Sequence, residues 1–133
     1  MKFVSLCVAS LLLVSCGSRS SDEEQVRALL EAAETAAEAR DASDVLAVVA
    51  SDYSDSQGFD RAQLQGFLRG YFLANPRVEI LLTVQDLEFP VEGLGRARVG
   101  ITSLPAGDRA TLQVEFRKEG GSWLVARADR VRE

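Results

Sequence analysis

Two cysteines, two tyrosines and no histidine set narrow limits on the chemistry open to this chain. Cys7 and Cys16 both precede Gly17, so the body that follows has no thiol, no disulfide and no thiolate metal site. The missing histidine removes the side chain that titrates nearest neutrality and the commonest metal ligand. The residues that remain call for neither a metal nor any other cofactor. The net charge is −5, and the arginines are spread along the strands rather than clustered. Nucleic acid is not an expected partner on those grounds. Cys16 therefore stands out, because it closes an apolar run.

That run is Phe3–Val14, preceded by the single charge of Lys2. It has the length of a signal-peptide core and falls well short of the roughly 20 residues a membrane-spanning helix needs. Its end, Leu13-Val14-Ser15-Cys16, resembles the lipobox of bacterial lipoproteins. The resemblance implies cleavage between Ser15 and Cys16 and acylation of the Cys16 thiol. It also implies a membrane partner reached through that lipid. Each buried methylene adds about 0.8 kcal/mol, and two or more acyl chains hold stably where one does not. Cys7 sits inside the run as a small apolar filler. Gly17, not aspartate, follows the cysteine, a pattern that in enterobacterial lipoproteins goes with the outer membrane. The expected organisation is a leader over 1–15, a lipidated cysteine and flexible tether over 16–21, and one domain over 22–133, facing the periplasm.

The elements of that domain follow from period and caps. Ser21-Asp22-Glu23-Glu24 reads as a capping box opening a helix, with Val26, Leu29, Leu30, Ala33, Ala36 and Ala37 on one stripe to about Arg40. Asp41 or Ser43 caps a short second helix that turns Val45, Leu46, Val49 and Ala50 inward. Turn chemistry follows through Gly58, around a few residues of strand at Tyr53. Asp60-x-x-Gln63 opens a third helix, with Phe59 and Leu64 as a hydrophobic staple. Its stripe is Leu64, Phe67, Leu68, Tyr71 and Phe72, and Asn75-Pro76 stops it. From Arg77 the period changes to two, through Val78–Val84, Ala97–Ile101, Ala110–Phe116 and Trp123–Val131, with turns at Glu92-Gly93, Pro105–Asp108 and Glu119–Gly121. Three helices before consecutive antiparallel strands give an α+β domain, the helices lying on the sheet's apolar face.

This order resembles the cone-shaped nuclear transport factor 2-like (SnoaL-like) family, with three N-terminal helices packed on a curved antiparallel sheet of about four long strands. Ala39-Arg40-Asp41 before the second helix, Asp60-x-x-x-Leu64 and Gly121-Ser122-Trp123 match its phrases. The resemblance implies a cavity between sheet and helices, with Tyr53, Phe67, Tyr71 and Trp123 as pocket-lining candidates for a small apolar ligand. Enzymes of the family place Asp, His, Tyr or Arg there. With no histidine, an Asp/His dehydratase pair cannot be built, and an isomerase-type site would need Asp52 or Asp86 beside Tyr53 or Tyr71. No spacing makes those converge, so no catalytic residue is assigned. The reading is a lipid-anchored, non-catalytic module that binds a small molecule or a protein. The alternatives are an isomerase or dehydratase acting on a small apolar substrate, and a structural accessory subunit of an envelope assembly. Leu81, apolar on the sheet's outer face, points to a homodimer through the sheet.

The lipobox reading is tested directly by Cys16→Ser. The variant is expected to remain an unprocessed, unlipidated precursor. Normal maturation and membrane retention of that variant would remove the reading.

Overall fold

The computed structural model describes residues 18–105 and 107–132. In it, α1 (Ser18–Glu38), α2 (Ala42–Leu46) and α3 (Arg61–Ala74) precede β1 (Glu79–Val91), β2 (Leu94–Leu104), β3 (Asp108–Glu119) and β4 (Ser122–Arg130). The strands form one antiparallel meander in sequence order. It is the α+β arrangement expected from the change of period.

The first helix begins earlier than its sequence suggests. Ser18 to Ser21 are helical, so the expected tether shrinks and the Ser21 capping box lies inside the helix. No glycine or proline separates Ser18 from Asp22, so the second turn can propagate backward. Ser21 Oγ instead accepts a bond from Gln25 Nε2 one turn on (3.2 Å). The third helix starts where expected, and its capping box is complete. Gln63 N donates to Asp60 Oδ1 (2.8 Å) and Asp60 N donates to Gln63 Oε1 (2.9 Å).

The joint between α1 and α2 is built on a strained residue. Asp41 N donates to Ala36 O and Arg40 N to Ala37 O, both at 3.0 Å, the paired bonds of a Schellman stop. The pivot, usually glycine, is Arg40 at φ 58°. Its guanidinium reaches the last turn of α3, where Nε and Nη2 both donate to Phe72 O, the former at 3.1 Å. That carbonyl belongs to the set a helix end leaves without an internal partner. Asp41 then accepts from Asp44 N (3.0 Å) as the N-cap of α2. One dipeptide thus ends α1, starts α2 and caps α3.

The sheet curls around α1. β1 runs unbroken to Val91, and irregularities on either side of Glu88, with Asp86 at φ 53°, bend it where the alternation pauses in the sequence. A further bulge separates Glu115 and Phe116 in the β3–β4 ladder. Beyond the bend, the Phe89 ring lies over Gly95, where a Cβ would come within 3.1 Å of it. The concave face buries Ala97, Val99, Val114, Phe116 and Trp123 against Val26, Leu29 and Leu30 of α1. Smaller clusters join Ala42, Phe72 and Val78, and Leu46, Val49 and Tyr53. The outer edge of β4 is covered by the chain after α2, through Val125 N to Val48 O (2.8 Å) and Ala50 N to Val125 O (2.9 Å). Among the described residues β1 pairs only with β2, and its bends, Pro90 and exposed glutamates blunt its other edge.

Arg40→Ala and Arg40→Gly separate the two roles of the pivot. Both lose the charge-assisted bonds to Phe72, worth about 1.5–3 kcal/mol together. Only glycine relieves the left-handed strain of about 1 kcal/mol. Urea unfolding is expected to show Arg40→Gly the more stable variant by about that amount; the reverse order would mean that Arg40 is not strained.

Candidate functional site

The four pocket candidates do not face one common space. Trp123 is buried in the main core, tilted against Phe89 at 5.4 Å, and its Nε1 donates to Asp22 Oδ1 (3.2 Å) on α1. Tyr53 is buried beneath the loop before α3, and its hydroxyl donates to Asp55 Oδ2 (2.8 Å). Tyr71 is half-buried on α3, with its hydroxyl 2.8 Å from Ser103 Oγ on β2. Phe67 is 54 % exposed, a correction to its place on the buried stripe. The rest of the protein touches α3 along Leu64, Leu68, Tyr71 and Phe72, and Phe67 falls at the margin of that arc. Its ring lies between Phe59 (5.8 Å) and Tyr71 (6.3 Å) as an external aromatic ladder.

The carboxylates considered for an isomerase-type site point elsewhere. Asp52 is exposed and bonded to Arg117, which also holds Glu119 (2.7 Å). The Arg117 hydrogen bond keeps the Asp52 carboxyl below its ordinary value. Asp86 is exposed at the β1 bulge. Tyrosine meets carboxylate instead at Tyr53 and Asp55, a pair the sequence did not single out. Asp55 Oδ1 also accepts from Gln57 N (2.9 Å) and Phe59 N (3.1 Å), an Asx-type turn that closes the loop. Ser56 N donates to Asp129 Oδ1 (2.7 Å), fastening the loop to β4. Burial tends to raise the Asp129 carboxyl, but Arg127 and Ser56 outweigh it and hold it below the ordinary range.

Two surface clefts remain. One of about 490 Å³ lies over the α1–α2 joint, lined by Arg40, Asp41, Ser43, Arg69, Phe72 and Leu73. Its acid is spent as the α2 cap and Arg40 on Phe72. The other, of about 380 Å³, is bounded by Glu23, Leu87, Glu88, Phe89 and Pro90. Among the described residues, no three acids, cysteines or histidines come together as metal ligands, and no helix is long and apolar enough to cross a membrane. Leu13-Val14-Ser15-Cys16 lies outside the described residues.

Solved structures share this architecture at low sequence identity. A protein of unknown function with a cystatin-like fold from Nostoc punctiforme aligns at TM-score 0.70 and 16% identity, over 84% of this chain and 90% of that one. A nuclear transport factor 2-like protein of unknown function from Shewanella baltica aligns at 0.69 and 12%, over 86% and 95%. A candidate scytalone dehydratase from Novosphingobium aromaticivorans aligns at 0.66 and 11%, over 84% and 83%. No family model matches the sequence, and no curated protein matches it. The chain has a nuclear transport factor 2-like cone fold. At these identities the likeness defines the fold alone.

The buried phenol generates a pH dependence. Burial, followed by the bond to Asp55 and its charge, pushes the Tyr53 pKa well above its ordinary value. An unfolded tyrosine ionises near pH 10, so the stability that Tyr53 contributes is whole below that pH and declines as pH rises past it. Tyr53→Phe is expected to be less stable than wild type at neutral pH. Thermal melts should show the gap closing above about pH 10; a constant gap would show that Tyr53 ionises normally.

Proposed function

We propose that this chain is a lipid-anchored protein of the bacterial envelope, held through Cys16, whose cone domain is a non-catalytic interaction module. The observation that carries the second half of this reading is where the polar groups beneath the helices go. Tyr53 bonds to Asp55, Tyr71 to Ser103 and Trp123 to Asp22, and no buried side-chain nitrogen or oxygen among the described residues is left unpaired. A site that turns over a substrate keeps such groups free for it. Here they hold the fold. The candidate scytalone dehydratase shares the architecture, but this chain has no histidine for the acid–base pair that the family resemblance attaches to that chemistry.

Large apolar side chains meet solvent on the outside instead. On the sheet's outer face Leu81 is 55 % exposed, opposite Thr102, with Leu104 opposite Glu79. Arg96, Arg98 and Arg117 carry the same face toward the other end of the sheet. A neutral patch bordered by charge suits pairing with a second copy, since its charged border fixes the register. The partner in this reading is a homodimer through the sheet. A small apolar ligand is the second reading, favoured by Ile80, Leu82, Ile101 and Leu112, which are only half-buried on the concave face.

Light scattering on the detergent-solubilised protein is expected to give twice the chain mass, and Leu81→Arg to give once. A wild-type monomer would remove the sheet dimer. A stoichiometric apolar molecule in native mass spectra would replace the interaction module with the ligand-binding reading.

A further inference from the structure

We infer that a second copy of this chain seats on the outer face of the β1–β2 ribbon, with the two-fold axis running along the strands between β1 and β2. In that register Glu88 of each copy pairs with Arg96 of the other. The register rests on the sheet-dimer reading and says which part of the face is shared.

Ala97 and Val99 of β2 are buried against α1, so Arg96, Arg98, Gly100 and Thr102, which alternate with them, point outward. Their partners in the β1 ladder are Glu88, Gln85, Thr83 and Leu81. At Gly100, in the middle of β2, a Cβ would make only ordinary contact with Thr83 (3.7 Å). The chain's own packing therefore does not call for glycine there. A glycine inside a strand marks a place where another backbone comes close. Past Gln85 the bend in β1 carries the sheet toward α1 and away from such a partner. There the ribbon bears two long charged side chains, Glu88 and Arg96, both exposed. They are ladder partners, yet neither takes part in an ion pair among the described residues.

Charge places the axis. A two-fold along the strands, midway between β1 and β2, lays each residue over its own ladder partner in the other copy. Leu81 then meets Thr102, Thr83 meets Gly100, Gln85 meets Arg98 and Glu88 meets Arg96 of the second copy. No like charges face one another, and symmetry makes the Glu88–Arg96 pair twice. A two-fold across the strands sets each strand against itself instead. At the level of Leu81 it faces Arg109 with Arg109, and at the level of Arg98 it faces Arg98 with Arg98. A two-fold between β2 and β3 lays β1 over β4. That strand ends opposite Leu112, whereas Leu81 is level with Arg109, so Leu81 would stay uncovered.

The test measures dimer dissociation of the detergent-solubilised full-length protein by sedimentation equilibrium. Arg96→Glu and Glu88→Arg each set like charges together at two symmetry-related points. Each is expected to raise the dissociation constant about ten-fold or more. Joined in one chain, the two substitutions restore opposite charges and are expected to return the constant close to its wild-type value. Glu115→Arg, on the same face but on β3, is expected to change it little. A dimer that withstands both single substitutions, is not restored by the pair, or is broken by Glu115→Arg instead overturns the register and leaves the sheet dimer standing. A wild-type monomer overturns both. Thermal melts show whether each variant is folded; if one single substitution unfolds the domain, the other and the pair decide.

Discussion

The left-handed turn at Arg40 is the constraint on which the helical layer depends. A helix stop of this kind needs a residue at positive φ, and a side chain with a Cβ pays roughly 1–2 kcal/mol to go there. Glycine would avoid that cost but could not reach Phe72. Arginine accepts the strain and places a fixed positive charge on the last turn of α3, where the helix dipole favours a cation. The direction of α1 relative to α3 is therefore set by a side chain bridging their ends, as well as by apolar packing. Asp41, next in sequence, is committed to the α2 cap, so the joint has little freedom to slide by a residue.

With the helices held in that order, the sheet must curve to meet them, and its curvature comes from the bulges in β1 and between β3 and β4. They swing Phe89 and Trp123 over the same end of α1, and Gly95 leaves room for the Phe89 ring. This closes that end of the core around Phe116, which is fully buried. Toward the other end, the Tyr71–Ser103 hydroxyl pair ties α3 to the sheet. A polar group between layers costs stability unless it is bonded, and the buried side-chain nitrogens and oxygens of the described residues are all bonded.

Much of the fold was readable in the sequence because its signals are local. The Asp60–Gln63 box, the Asn75-Pro76 stop, the change of period at Arg77 and the glycines of the hairpin turns depend on neighbours within a few residues, and the structure keeps them. The start of α1 was misplaced because a good cap sequence can also be accommodated inside a helix when nothing upstream breaks it. Phe67 was misplaced because period alone does not show how wide an arc of α3 the rest of the protein covers. The Tyr53–Asp55, Asp129–Ser56 and Asp22–Trp123 bonds were out of reach for a different reason. Two of them join positions far apart in the chain, and the third depends on a loop fold that only those ties stabilise. The Arg40-Asp41 dipeptide was visible as a phrase. Its meaning needed the φ angle and the position of Phe72.

The exposed charged and apolar groups are unevenly distributed over the surface. Ion pairs such as Arg117 with Asp52 and Glu119 are exposed, and pairs of that kind contribute little to stability. Their value lies in giving the surface a pattern. The described residues divide into an acidic α1 side, an arginine-rich stretch of the outer sheet, a neutral patch around Leu81 and an α3 face carrying Phe67, Leu73 and no acid. Of the large exposed apolar side chains, Phe67 and Leu73 lie on the acid-free helix and Leu81 on the sheet.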